Sequence, residues 1–190
     1  MFSFCLRIGI IKGYFISGLQ VRPVARCTSS MPGHTKEVLV ASFSSSGRYL
    51  ASGSGDATVR FWDLTTETPH FECKGHPGWV LALAWAPNDS KVASGDKSGK
   101  IIIWDPRLGK QVGTTMVRHT KFITALAWEP LHLSGTCRRL ASASNDGDVI
   151  IWDTILGKPQ LIKGITILRL TIRIFKNFRL GAVFLFARHE

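Results

Sequence analysis

The sequence has little with which to cross-link itself, cross a membrane or hold a metal. Its four cysteines, Cys5, Cys27, Cys73 and Cys137, are widely scattered and form no CxxC pair. A zinc site or a thioredoxin-like redox site therefore has no support, and lone thiols of this kind fit a reducing compartment. No run approaches the roughly 18 uncharged apolar residues of a membrane helix. Arg7 and Lys12 interrupt the apolar start, and residues 180–187 are too few to span. Those same charges sit inside the apolar run instead of ahead of it, so the N-terminus reads poorly as a secretory signal. It is acid-free, as mitochondrial presequences are, but too sparsely basic to be expected as one. No phosphate-cradling glycine loop is present either, because the glycines fall in short turns.

Acidic residues are also scarce, and unevenly so. The 190 residues carry 24 Lys and Arg against 13 Asp and Glu, a formal charge of +11. The excess lies at the ends: residues 1–30 hold no acid and residues 158–190 only Glu190, while 31–157 is nearly balanced. A basic total points to nucleic acid when it is concentrated on a domain. Here the middle is neutral, so direct nucleic-acid binding is not expected. At 45% hydrophobic and 19% charged, the chain has enough apolar surface to fold.

What the middle does contain is a repeat. Gly33-His34 leads to Trp62-Asp63, Gly75-His76 to Trp104-Asp105, and Arg118-His119 to Trp152-Asp153. The first two intervals are equal, and the third is longer by the segment 129–139. Each unit reads as four short strands joined by tight turns. The first unit places them at 38–43, 49–53, 58–64 and 69–73. The second places them at 80–85, 91–95, 100–105 and 111–116. The third places them at 123–128, 139–143, 148–153 and 159–162. Regular spacing with Gly-His and Trp-Asp marks is the sequence signature of propeller blades.

On these residues the chain resembles the WD-repeat β-propeller family. The fold class this implies is all-β: about three four-stranded blades, near 31–73, 74–116 and 117–163, forming an open, incomplete propeller. The stretches RCTSSMPGH (26–34), ASGSGDATVRFWDLTTETPHF (51–71), GKQVG (109–113) and WEPLH (128–132) narrow the resemblance. They are similar to a branch of that family acting in assembly of the large ribosomal subunit. The resemblance spans roughly residues 21–163. Residues 1–20 read as an atypical extension and 164–190 as an atypical basic and apolar tail, in which 166–174 alternates as a strand would.

The resemblance also assigns a hydrogen-bonded set to each blade: His34, Ser52, Asp56 and Trp62 in the first, and His119, Ser142, Asp146 and Trp152 in the third. The second has His76, Ser94 and Trp104, with Ser98 where the acid should stand. A buried indole N–H needs an acceptor, which a serine hydroxyl can be. The serine can in turn donate to a histidine held by the acid. A Ser, a His and an Asp also suggest a hydrolase, but a nucleophilic triad occurs once and needs an exposed serine. A set repeated in every unit reads as structural, and no catalytic residue and no cofactor are expected. His34, His76 and His119 fall in separate blades, and His70, His132 and His189 form no cluster, so no metal site is expected. Asp63, Asp105 and Asp153 read as turn residues.

Glu37, Trp79 and Phe122 stand three positions past each histidine, where WD-repeat proteins often face a partner. The alternative is that the two aromatics cap their own blades. Lys36, Lys97, Lys121 and Asn145 share those loops as solvated surface. The resemblance implies a non-enzymatic scaffold in the nucleus and nucleolus, with protein partners in pre-ribosomal particles. Contact with the ATPase midasin runs through a ubiquitin-like domain in that branch, which residues 1–20 are too short to encode, so it is not expected. Other readings stay open: a general adaptor in signalling (the Notch pathway included) or ubiquitin ligation; a serine hydrolase; an RNA-binding chain acting through its basic ends; and a non-functional, truncated or mis-spliced product located in the cytoplasm.

Overall fold

The computed structural model describes residues 5–7, 30–133 and 135–162. They form β1 (Cys5–Arg7), β2 (Ser30–Pro32), β3 (Val38–Phe43), β4 (Tyr49–Ser54), β5 (Thr58–Asp63), β6 (Thr68–Lys74), β7 (Val80–Trp85) and β8 (Val92–Asp96). There follow β9 (Lys100–Asp105), β10 (Lys110–Gln111), β11 (Met116–Val117), β12 (Ile123–Trp128), β13 (Arg139–Ser144), β14 (Val149–Asp153) and β15 (Lys158–Ile162). No described residue is helical.

The strands make three antiparallel meanders, ordered β3-β4-β5-β6, β7-β8-β9-β10 and β12-β13-β14-β15. Each inner strand carries a bulge at the same place, between Val38 and Val40, Val80 and Ala82, and Ile123 and Ala125. A bulge adds one unpaired residue and bends the strand at that point. The outer edge of the second sheet departs from the single strand expected at 111–116. It is split into β10 and β11, both paired with β9. Between them Gly113 adopts φ +71°, and the Gln111 side-chain amide donates to Gly113 O and Thr115 Oγ1 instead of crossing the ladder. A further pair was not legible in the sequence: β1 lies antiparallel to β2, Cys5 opposite Pro32. The alternation at 166–174 lies outside the described residues.

Packing explains the strand sequences. The second sheet is covered on both faces. Ile102 and Trp104 join Val59, Phe61 and Cys73 of the first sheet, whereas Ile101 and Ile103 join Leu126, Trp128 and Ile150 of the third. A strand buried on both sides reads as a continuous apolar run, here KIIIWD. The matching strand TVRFWD of the first sheet keeps Arg60 on its other face, bonded to Glu72 at 2.9 Å.

Neighbouring sheets meet at their inner strands. A Cβ on Gly53 would lie 2.5 Å from Val80 Cγ1, and one on Gly95 would lie 2.7 Å from Ile123. Each glycine is the place where the next sheet's first strand approaches the backbone. The indoles of Trp85 and Trp128 donate to Ser42 O and Ala84 O of the preceding sheet, at 2.8 and 2.9 Å. The Asp89 carboxylate reaches from the second sheet to the backbone N–H groups of Ser45 and Ser46. The result is three four-stranded blades of a propeller that do not close into a ring.

Replacing Gly53 or Gly95 with valine puts side-chain atoms where the next blade already sits. Overpacking of this kind costs about 1–3 kcal/mol. A lowered urea midpoint, followed by tryptophan fluorescence, is the expected result for both variants.

Candidate functional site

Each blade buries one indole. Trp62, Trp104 and Trp152 are at most 2% exposed, and their Nε1–H groups donate to Ser52, Ser94 and Ser142 Oγ at 2.8, 2.7 and 2.8 Å. The serine oxygens lie 2.8, 2.5 and 2.8 Å from Nε2 of His34, His76 and His119. On the far side, Nδ1 of each histidine meets a carboxylate: Asp56 at 2.9 Å, Asp96 at 3.0 Å and Asp146 at 2.8 Å. One proton assignment satisfies the whole set. With the carboxylate ionised, the histidine donates from Nδ1, Nε2 accepts from the serine hydroxyl, and the serine accepts from the indole.

The second blade differs from the sequence reading, which found no acid there. Asp96 supplies it from the end of β8, two residues before Ser98. The first and third blades run Ser54-Gly-Asp56 and Ser144-Asn-Asp146, and the second runs Asp96-Lys-Ser98, with acid and serine exchanged. Asp96 Oδ2 reaches the histidine while Oδ1 takes the Ser98 N–H, the Ser98 hydroxyl and the Lys100 N–H. The exchanged pair was the available signal. Thr58 is a second missed member, its hydroxyl donating to Asp56 Oδ1 at 2.7 Å.

The electrostatics match this assignment. Burial pulls the His34 pKa below its ordinary 6.5, against the Asp56 contact, so the ring is neutral at pH 7. Burial alone would push the aspartates up. For Asp56 the Thr58 hydroxyl, the His34 ring and the Thr35 and Thr58 N–H groups outweigh it, holding the carboxyl well below the usual range. Asp96 and Asp146 are lowered in the same way, by His76 with Ser98 and by the Asp148 N–H with His119. The aspartates after the tryptophans serve turns: Asp63, Asp105 and Asp153 accept from the N–H of Thr65, Arg107 and Ile155. Arg138 and the Leu156 N–H hold Asp153 down to about 2.

These serines are not placed for attack on a substrate. Ser52, Ser94 and Ser142 are at most 1% exposed, and each hydroxyl already accepts from an indole. Among the described residues no three His, Cys, Asp or Glu side chains gather as a metal would require.

What the sets do support is a rim. The turn N–H of Gly55, Lys97 and Asn145 donates to the carbonyl of Glu37, Trp79 and Phe122, at 3.0, 2.9 and 3.1 Å. Ser54 and Ser144 hydroxyls add bonds to the Lys36 and Lys121 carbonyls. Backbones are thus fixed while side chains stay out: Glu37 is exposed, Trp79 is 47% exposed and Phe122 38%. Lys97 Nζ lies 4.5 Å from the Trp79 ring centre.

Three blades built on one buried set, with an exposed rim, define a WD-repeat protein. The family model for the WD domain, G-beta repeat, matches residues 25–63, 67–105 and 109–153, and the chain belongs to that family. It is 60% identical over 122 residues to Protein Notchless of Drosophila melanogaster, and 52% identical over 120 residues to the Notchless protein homolog of Arabidopsis thaliana. It is 42% identical over 126 residues to Ribosome assembly protein 4 of Saccharomyces cerevisiae. These matches cover 64%, 63% and 64% of the chain but 25%, 25% and 24% of the relatives, so the chain spans about a quarter of their length.

Two predictions follow from the buried sets. Asp96→Ser strands His76 Nδ1–H and is expected to cost about 1–3 kcal/mol. Adding Ser98→Asp, which copies the first blade, is expected to recover most of it in a double-mutant cycle of urea midpoints. The second concerns pH. His34 is lowered from 6.5 and the aspartates from 3.8, so the unfolded chain binds more protons than the folded one. Stability is therefore complete at pH 7, falls as pH drops through 6.5, and falls again below about pH 4. Urea midpoints measured from pH 7.5 to 3 check this, and a midpoint that rises on acidification contradicts it.

Proposed function

We propose that this chain is a non-enzymatic interaction scaffold acting in ribosome assembly, at the large subunit. Its blades, within residues 21–163, would present the rim to protein components of pre-ribosomal particles in the nucleus and nucleolus. The observation that carries the scaffold reading is the row of Glu37, Trp79 and Phe122. They are outward-facing side chains at equivalent positions on loops fixed by backbone hydrogen bonds. Aromatic residues held outward on a rigid frame are the usual anchors of protein interfaces. The ribosomal part rests on similarity to Notchless and to Ribosome assembly protein 4 across the blades. Both parts belong to the blades alone, and midasin contact forms no part of the reading.

Expression of the tagged full chain in cells, with separation of the extract on a sucrose gradient, tests it. The chain is expected to travel with pre-ribosomal large-subunit particles, and Trp79→Ala with Phe122→Ala to lower that fraction about fivefold. A chain that stays at the top of the gradient, or a double variant that travels as the parent does, contradicts the proposal.

A further inference from the structure

We propose that the rim formed by Lys36, Trp79, Lys97, Lys121 and Phe122 docks a short acidic peptide segment of a partner protein, one that also carries an apolar side chain. This rests on the scaffold reading and names the chemistry of its partner.

The first argument is contiguity. A Cβ on Gly99 would lie 2.7 Å from His119 O and from Lys121 O, so the turn carrying Lys97 rests directly on the entry to the third blade. Gly78 sits beside the Lys97 stem, with its Cβ position 3.8 Å from Lys97 Cβ. Gly55 stands against Lys36 and Glu37 in the first blade, and Gly53 of the same hairpin touches Val80, the residue after Trp79. The five side chains therefore follow one continuous edge across three blades.

The second argument is charge. The acids of these loops are committed inward: Asp56, Asp96 and Asp146 accept from histidine rings and from turn N–H groups. Their negative charge is neutralised where it lies. Lys36, Lys97 and Lys121 are exposed, and among the described residues none of the three forms an ion pair. Glu37 is the one exposed acid beside them. A surface with three uncompensated ammonium groups is complementary to carboxylates.

The third argument selects a peptide over single-stranded RNA. A base-stacking platform needs a free aromatic face. One face of Trp79 is already taken by the Lys97 ammonium, which the ring quadrupole holds in place. A positioned ammonium beside an exposed Phe122 suits a carboxylate followed by an apolar side chain.

Fluorescence anisotropy on the full chain tests this, using a labelled peptide of Glu, Leu and Gly. Its controls are the counterpart with Lys for Glu and an oligouridylate of equal length. The Glu peptide is expected to bind, and to bind more weakly as salt rises from 50 to 200 mM. Lys97→Glu with Lys121→Glu is expected to weaken it about tenfold, whereas Lys97→Arg keeps it. An unchanged urea midpoint shows that these exposed substitutions leave the fold intact. Equal or tighter binding of the Lys peptide or the oligouridylate overturns the proposal, as does a double variant that binds like the parent. A chain that binds no acidic peptide yet travels with pre-ribosomal particles overturns this proposal alone. One that binds the peptide but stays off the particles overturns the ribosomal reading and supports this one.

Discussion

A buried indole N–H has to find an acceptor, and in this chain three of them find a serine. The rest of each blade is arranged around that need. The serine is on the second strand, the tryptophan on the third, and the histidine on the loop that enters the blade. The aspartate sits at the turn between the second and third strands. One chain of donors and acceptors thus ties the entry loop to the strands it must lie against. Leaving any member unpaired inside the fold costs more than the bond itself is worth. That asymmetry explains how an acid can exchange places with a serine, as Asp96 and Ser98 do: the bond to the histidine is what must be preserved, not the position that supplies it.

Between blades the constraint is distance. Gly53 and Gly95 let the next inner strand come against the backbone, and the indoles of Trp85 and Trp128 then reach a carbonyl of the preceding blade. Those tryptophans donate across an interface, whereas Trp62, Trp104 and Trp152 donate within a blade. Together the two groups lock each blade internally and then to its neighbour. The rim residues inherit this rigidity through the N–H groups of Gly55, Lys97 and Asn145.

The blades were legible because their signals are periodic. Gly-His and Trp-Asp mark the ends of a unit, and the apolar alternation between them places the strands. Three features were not. The acid of the second blade was sought at a fixed offset from Trp104, but a carboxylate on β8 reaches His76 equally well, and that depends on geometry. The break in the outer strand of the second sheet follows from the left-handed backbone of Gly113 and the self-bonding of Gln111. The pairing of Cys5–Arg7 with Ser30–Pro32 joins segments far apart in the chain and has no periodic mark. For Trp79 and Phe122 the sequence allowed both a capping and an outward position. Their exposure depends on how the neighbouring blade's loops lie, which no local pattern records.

The buried relay is the centre of this account, and hydrogen exchange of the indole N–H groups tests it most directly. With the six tryptophans labelled with nitrogen-15 and the folded chain transferred to deuterated water, Trp62, Trp104 and Trp152 are predicted to exchange slowly, while the exposed Trp79 exchanges at once. If Trp62, Trp104 and Trp152 exchange as fast as Trp79, their N–H groups are not held by buried serines and the account is wrong.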